Sequence, residues 1–217
     1  AQKDAFLQSL YAGDAGAAAP QPAAVKAVPL QAVRGQPMAP PIDQSKVTQP
    51  GQAVEVFAVD RVVNGAEKFD LAACKGKVVV LDFFASWCPP CRAAVPSMVQ
   101  LQKDHPDDLQ VIGVTRYYGN GMDFSGEGVA LPHGGKDVKG LDRDQEGALY
   151  APLVNAFGIN YPIVFVADQK LTLEKFGVQG IPAMFVIGRD GRLLGSVVGG
   201  SEEGHKKLLQ LVEQACK

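Results

Sequence analysis

The longest apolar run of the chain covers residues 78–84, which read VVVLDFF, and only Asp82 interrupts it. A run of this length is typical of a strand that is covered on both faces of its sheet. Residues 109–115 form a second apolar run, and the stretch between the two runs has the character of a helix. The pattern therefore predicts a β–α–β unit with parallel strands and a right-handed crossover, whose helix we expect Pro96 to kink.

Shorter patterns predict the other elements around this unit. The alternation of residues 54–59 predicts a strand, and Asn64-Gly65 a turn. In chain order, we further expect a helix at 146–157, a strand at 162–167, a helical turn at 173–176, a hairpin at 183–198 and a helix at 202–215.

Residues 1–50 predict an extension or linker instead of a domain. Seven of the fifteen prolines fall between Pro20 and Pro50, so this stretch has few backbone donors for a sheet. The favoured interpretation is a tether from a membrane anchor. A docking or dimerising helix at residues 6–11 is the alternative, because their apolar side chains would share one face.

An insertion at about residues 116–145 is long and rich in glycine, and its apolar residues follow no helical or strand period. It follows a parallel strand at the sheet edge where ligands of open α/β sheets gather. Its candidate partner contacts are Tyr117, Tyr118, Phe124 and His133. A solvated, mobile insertion is the alternative interpretation.

Composition and charge narrow the possible functions. The 217 residues allow one sizeable domain with appendages, and the formal net charge of −2 gives no footprint for nucleic acid. No apolar run reaches the roughly 18 residues of a membrane helix. Since the numbering starts at Ala1, we expect that a signal peptide or membrane anchor has been removed. Four cysteines are compatible with an oxidising compartment.

The chemistry concentrates at Trp87-Cys88-Pro89-Pro90-Cys91, where the first apolar strand gives way to a helix. Two cysteines at this spacing can close a small disulfide ring. The unpaired N–H groups and the positive end of the helix dipole favour a thiolate on Cys88, which is the form that attacks disulfides. Pro89 and Pro90 fall in the first helical turn, where a missing N–H costs little.

Asp82 is a candidate general acid or base for Cys91, because burial in a strand would raise the pKa of its carboxyl group. A structural carboxylate paired with a buried cation is the alternative. Cys74 and Cys216 form either a structural disulfide or two separate thiols. The three histidines, His105, His133 and His205, are interpreted as surface residues. We predict neither a metal site nor a cofactor.

Asp82 and the motif Trp87-Cys88-Pro89-Pro90-Cys91 are followed far downstream by Gly180-Ile181-Pro182 and by a terminal hairpin and helix. This combination resembles the thioredoxin fold. More narrowly, it resembles the thioredoxin-like reductases of the TlpA and ResA kind. The resemblance implies an α/β domain at residues 51–217, with a central mixed sheet flanked by helices. It also implies an exposed, attacking Cys88, a buried, resolving Cys91 and a cis bond before Pro182. Trp87 would then shield the first sulfur, and the backbone of Ile181 would pair with an extended partner.

The chain departs from that pattern at three positions. Asp82 stands where the TlpA and ResA kind more often carries Asn, and Ala94 stands where it usually carries Glu. The lysine that accompanies the Asp in cytosolic thioredoxins is replaced near Gly113. The acid of the site has therefore moved from the helix to the strand.

The resemblance implies a periplasmic or otherwise extracytoplasmic enzyme that reduces disulfides of client proteins and is recharged by a membrane or periplasmic thiol donor. Apocytochrome c and copper-site assembly proteins are the expected clients. The alternatives are a disulfide oxidase or isomerase and a Cu(I)-binding module that uses the two cysteines, with Met98 or Met184 as a further ligand. A thiol peroxidase is disfavoured because the expected threonine is missing near Cys88.

Overall fold

The computed structural model describes residues 45, 47–67, 69–126 and 129–217. The strands, numbered along the chain, are β1 Val59–Val63, β2 Val78–Phe83, β3 Leu109–Thr115, β4 Asn120–Asp123, β5 Lys136–Lys139, β6 Ile163–Val166, β7 Ala183–Ile187 and β8 Leu193–Val198. The α-helices are α1 Pro89–Asp104, α2 Arg143–Ala148, α3 Tyr150–Phe157, α4 Gln169–Phe176 and α5 Glu202–Ala215, and a 3-10 turn covers Leu71–Cys74. The helix expected at residues 6–11 and most of the linker lie outside the described residues.

Six of the described strands form the central sheet, in the order β1-β6-β3-β2-β7-β8. Strands β2, β3 and β6 are parallel, whereas β1, β7 and β8 pair in the antiparallel sense. The sheet is therefore mixed, and helix α1 connects the parallel strands β2 and β3. This confirms the thioredoxin-like α/β fold that the sequence predicts.

Alternate residues of β2 point to opposite faces of the sheet. Val78, Val80 and Phe84 pack in one core cluster with residues of α1, α3 and α5. Val79 and Leu81 pack in a second cluster, with residues of α4 and of the segment that precedes β1. Burial on both faces explains why this strand is apolar along nearly its whole length.

The strand expected at residues 54–59 was wrong in its position. Val54 donates its backbone N–H to Gly191 in the turn of the last hairpin, next to an isolated antiparallel bridge between Ala53 and Arg192. Val56 is exposed, and residues 54–58 form no regular strand. The regular strand begins at Val59 and ends at Val63, just before the turn predicted at Asn64-Gly65. Asn64 has a left-handed φ of 57°, which fits that turn.

The helix expected at residues 146–157 is two helices. The first begins earlier, at an Asp142 capping box closed by Gln145, and the second begins after Leu149. Pro152 explains the break, because it has no N–H to donate to the carbonyl of Ala148, four residues before it. Helix α4 likewise begins before the turn expected at 173–176. Helix α1 is continuous through Pro96.

The described part of the insertion is folded. Strands β4 and β5 form a two-stranded sheet in which Asn120 pairs with Lys139 and Asp123 with Lys136. Phe124 is buried, so it is a packing residue and the expected partner contact at this position was wrong. The hairpin therefore has its own contact with the core.

The described helices include none with the length and apolar character that crossing a membrane requires.

Candidate active site

Cys88 and Cys91 are joined by a disulfide at the beginning of α1, with their Cα atoms 5.3 Å apart. Cys88 is the N-cap residue, and its Sγ accepts a hydrogen bond from the backbone N–H of Cys91 at 3.3 Å. Pro89 and Pro90 occupy the first two helical positions. The end of the helix thus presents a backbone donor and a positive dipole to the sulfur that would carry the negative charge after reduction.

The burial of Cys88, but not that of Cys91, differs from what the sequence predicts. Cys91 is fully buried as expected, but Cys88 is only 3% exposed, so the expected exposure of the attacking sulfur was wrong for this oxidised form. The reason is packing, because Cys88 belongs to the larger core cluster, against which Trp87, Tyr118 and Ile181 are packed.

Ile181 and Pro182 lie beside the disulfide, and the peptide bond between them is cis. The carbonyl oxygen of Ile181 is 4.0 Å from Sγ of Cys88. A Cβ atom on Gly200 would come within 3.0 Å of the Pro90 ring, so the loop after β8 also touches the site. Ile181 is half-exposed, and its carbonyl thus lies next to the sulfur.

Asp82 is 1% exposed and lies in β2 between Val80 and Phe84, so its side chain points to the sheet face that α1 covers. Burial raises the pKa of its carboxyl group from 3.8 to about 7. Its Oδ1 accepts no hydrogen bond from any described residue. Burial and the charge of Asp82 together hold the pKa of Tyr161 well above its ordinary value, so this phenol lies within electrostatic reach of the carboxylate. The alternative role for Asp82 was that of a structural carboxylate paired with a buried cation. The described ion pairs include no such cation for Asp82.

Trp87 is half-buried next to Cys88, and Tyr118 packs against it edge to face, with 5.1 Å between the ring centroids. The guanidinium of Arg116 lies over the Tyr118 ring, 4.6 Å from its centroid. Of the four expected partner contacts, Tyr118 is thus the one that the structure brings to Trp87. Tyr117 stacks on Phe165 instead, and His133 is exposed.

Arg92 is a site residue that the sequence reasoning missed. It follows Cys91 directly, is only 2% exposed, and burial lowers the pKa of its guanidinium. Its Nη1 donates to the carbonyl of Ser86 at 2.9 Å and its Nε to the carbonyl of Pro132 at 2.8 Å. Arg92 therefore ties the active-site loop to the insertion.

Glu146 is the second missed residue, a buried carboxylate at the beginning of the two-helix segment. It accepts the backbone N–H of Tyr118 with both oxygens, at 3.0 and 2.9 Å, and that of Gly119 at 2.8 Å. The only signal in the sequence was an acid at the predicted start of a helix, which normally indicates a solvated first turn.

Cys74 and Cys216 are free thiols, so the structural disulfide between them is wrong and the alternative of two separate thiols holds. The physical reason is their placement, since Cys74 packs against the core cluster on one face of the sheet and Cys216 against the cluster on the other. His205 is buried, contrary to the expected surface position, and His105 is half-buried 3.7 Å from Glu213.

Among the described residues, no three or more His, Cys, Asp or Glu side chains gather where they could hold a metal ion. Met98 and Met184, the further ligands of the copper alternative, are both buried in the core.

Comparisons with known proteins agree with this geometry. The chain is 31% identical over 137 residues to the thioredoxin-like protein YneN of Bacillus subtilis, covering 60% of this chain and 72% of that protein. It is 25% identical over 133 residues to the thiol-disulfide oxidoreductase ResA of Bacillus thuringiensis and spans 61% of that relative's length. A crystal structure described as a putative thiol:disulfide interchange protein DsbE from Chlorobium tepidum shares the fold, with a TM-score of 0.59 at 24% identity. The match covers 78% of this chain and 99% of that one. The Redoxin profile matches residues 49–212, and the chain therefore belongs to the Redoxin family.

Proposed function

We propose that this protein is a thiol–disulfide oxidoreductase that reduces disulfides of client proteins through Cys88 and Cys91. One observation carries the proposal: the cysteine pair closes a disulfide at the beginning of a helix, beside the backbone of Ile181 and on the sheet face that holds the buried Asp82. The relative named a thiol-disulfide oxidoreductase supports the same chemistry.

The reduced enzyme begins the reaction with a thiolate on Cys88, which the N–H of Cys91 and the helix dipole stabilise. The thiolate attacks one sulfur of the client disulfide. A mixed disulfide forms, the client S–S bond breaks, and the first client sulfur leaves as a thiolate that takes a proton from solvent.

Cys91 completes the exchange. Its thiol loses a proton, and the resulting thiolate attacks Cys88, which closes the Cys88–Cys91 disulfide and releases the second client sulfur. Two electrons have then moved from the enzyme to the client. A dithiol donor must return them before the next cycle.

Asp82 is proposed as the base for Cys91. A carboxyl group with a pKa of about 7 exchanges a proton readily near neutral pH, which is the condition for efficient general acid–base catalysis. A carboxylate with an ordinary pKa is a weaker base and would accept the proton of the Cys91 thiol much less readily.

The client is proposed to bind as an extended segment that pairs with the backbone at Ile181, in the manner of an added strand. The proposed compartment is extracytoplasmic, where client disulfides persist and a membrane or periplasmic thiol donor supplies electrons. This part of the proposal is supported by the resemblance to the TlpA and ResA kind.

The test is capture of the mixed disulfide. A Cys91→Ser variant cannot resolve the intermediate, so Cys88 should stay joined to its client in non-reducing gels and be released by dithiothreitol. The matched control is Cys88→Ser with Cys91 intact, which should capture far less. Equal capture by the two variants would contradict the assigned roles.

A second measurement decides the direction. Equilibrium with glutathione gives the reduction potential of the pair, and a reductase requires a value well below that of strong oxidants such as DsbA, about −120 mV. A potential near that value would make the protein a disulfide oxidase or isomerase.

A further inference from the structure

Trp87, the residue before the attacking sulfur, and Tyr118 of the insertion form an aromatic wall that packs against the core cluster containing Cys88. Tyr118 packs edge to face on Trp87, which precedes Cys88 in the chain. The guanidinium of Arg116 lies over the Tyr118 ring, 4.6 Å from its centroid. The Tyr118 ring is therefore held by contacts with both Trp87 and Arg116.

The same ring borders the proposed docking backbone. Tyr118 and Ile181 line the same small cavity, of about 10 Å³, at the end of the sheet next to α4, together with Phe84, Thr115, Arg116 and Leu173. An extended client that pairs with Ile181 would therefore run beside Tyr118. A small disulfide has no chain that reaches this far from Cys88.

Glu146 sets the position of the wall. Its buried carboxylate accepts three hydrogen bonds from the N–H groups of Tyr118 and Gly119, the residues at which the chain leaves β3 for the hairpin. Charged acceptors make hydrogen bonds roughly twice as strong as neutral ones. Without them, the backbone at Tyr118 would lose what holds its ring against Trp87.

We propose that Tyr118 is a specificity-determining residue and Glu146 a positioning residue that acts through it, so that the site favours protein disulfides over small ones. This inference rests on the proposed function. The Tyr118 ring contacts the client chain next to its disulfide, and Glu146 keeps the ring in place without touching the client.

The experiment compares two disulfides with dithiothreitol as the electron donor: insulin as a protein disulfide and hydroxyethyl disulfide as a small one. The measured quantity is the ratio of the two kcat/KM values. Tyr118→Leu should lower this ratio by roughly three- to tenfold, as expected for the loss of one aromatic contact, mainly through the KM for insulin. Tyr118→Phe should keep most of it.

The control is Tyr117→Leu, which removes the neighbouring tyrosine. Tyr117 stacks on Phe165 and donates to Asp60, so it lies away from Trp87 and should leave the ratio at its wild-type value. An equal fall of the ratio in both variants would contradict the proposal, because the preference for insulin would then not depend on Tyr118 in particular.

Glu146 is tested through fluorescence, since Trp87 is the single tryptophan of the chain. Glu146→Ala should shift the emission of Trp87 and lower the ratio, and Glu146→Gln, which keeps an acceptor oxygen, should restore part of both. A folded Glu146→Ala variant with wild-type emission and ratio would overturn the positioning role. If Glu146→Ala does not fold, Glu146→Gln decides: a partial change in both the emission and the ratio supports the positioning role, and wild-type values of both overturn it.

The two proposals fail in different ways. A wild-type protein that exchanges with hydroxyethyl disulfide but reduces no insulin would overturn the proposed function, whatever its emission. A wild-type protein that reduces insulin, together with a Tyr118→Leu variant that has the same ratio, would overturn only the specificity role.

Discussion

Asp82 in β2 lies directly opposite Gly113 in β3, on the sheet face that α1 covers. A Cβ atom on Gly113 would come within 2.9 Å of the Phe84 ring and 3.1 Å of Ile163. These side chains fill the space in which a lysine would otherwise accompany the acid. Asp82 is therefore a buried acid whose raised pKa has a single cause, the loss of solvent around it.

Replacing Asp82 by Asn should change how stability depends on pH. The folded protein holds the Asp82 proton up to a pKa of about 7, whereas the unfolded chain releases it near 3.8. Between these values the native state binds more protons, so the free energy of unfolding contributed by this residue falls as pH rises and levels off above pH 7. At about 1.4 kcal/mol per pKa unit, the full loss is on the order of 4 kcal/mol.

Asp82→Asn should thus be more stable than the oxidised wild type at pH 8, and the difference should shrink towards pH 4. Urea unfolding at several pH values measures it. Asp137→Asn, at an exposed residue of the hairpin, serves as the control and should follow the wild-type curve. A wild type and an Asp82→Asn variant with parallel curves would show that the carboxyl group titrates normally.

The same carboxyl group should set the pH dependence of resolution. With Asp82 as base for Cys91, release of glutathione from a Cys88–glutathione mixed disulfide should accelerate with pH and level off near pH 7. Asp82→Asn should slow this step by about 10²-fold and remove that inflection, because a positioned base contributes an effect of this size. Stopped-flow measurement of glutathione release tests it, and an unchanged inflection in the variant would assign the base elsewhere.

The sequence predicts the β2–α1–β3 unit and the placement of Cys88 and Cys91 because the signals for both are local. An apolar run, a cysteine pair and two prolines at a helix start need no distant contact to be interpreted. The register that sets Gly113 against Asp82 could not be read in this way. It depends on how two strands pair, and only the folded sheet shows it.

Arg92 and Glu146 illustrate what local patterns leave out. An arginine in the second turn of a helix normally lies in solvent, and here it is buried because the insertion brings the carbonyl of Pro132 to it across 40 residues of sequence. The low exposure of Cys88 has the same origin in part, since Tyr118 comes from the insertion. A Gly-rich stretch without period gives no indication of such contacts.

Removing the guanidinium of Arg92 should loosen the insertion. Arg92→Met loses two charge-assisted hydrogen bonds and leaves the carbonyls of Ser86 and Pro132 buried without that donor. We expect a destabilisation of about 2–4 kcal/mol and faster amide exchange in the β4–β5 hairpin. Arg92→Lys should be intermediate, because a single ammonium group cannot reproduce the fork of the guanidinium.

Denaturant unfolding and hydrogen exchange by mass spectrometry measure these effects. Lys206→Met removes an exposed pair with Glu202 and should cost less than about 1 kcal/mol. Exchange of the hairpin at the wild-type rate in Arg92→Met would contradict the anchoring role of the arginine.

The separation of Cys74 and Cys216 predicts the number of reactive thiols. The chain has four cysteines and the structure joins only Cys88 and Cys91, so the oxidised protein should expose two thiols after unfolding in guanidinium and four after reduction. Burial raises the pKa of both Cys74 and Cys216. In the reduced native protein, iodoacetamide should therefore modify Cys88 before either of them, because the thiolate is the reactive form.

Mass spectrometry of the alkylated peptides gives both results. Cys74→Ser and Cys216→Ser should each change the free energy of unfolding by less than the 2–5 kcal/mol typical of a lost native disulfide. An oxidised protein with no free thiol after unfolding would require a second disulfide. Because Cys74 and Cys216 pack on opposite faces of the sheet, that bond would form only if one of the two segments left its core cluster.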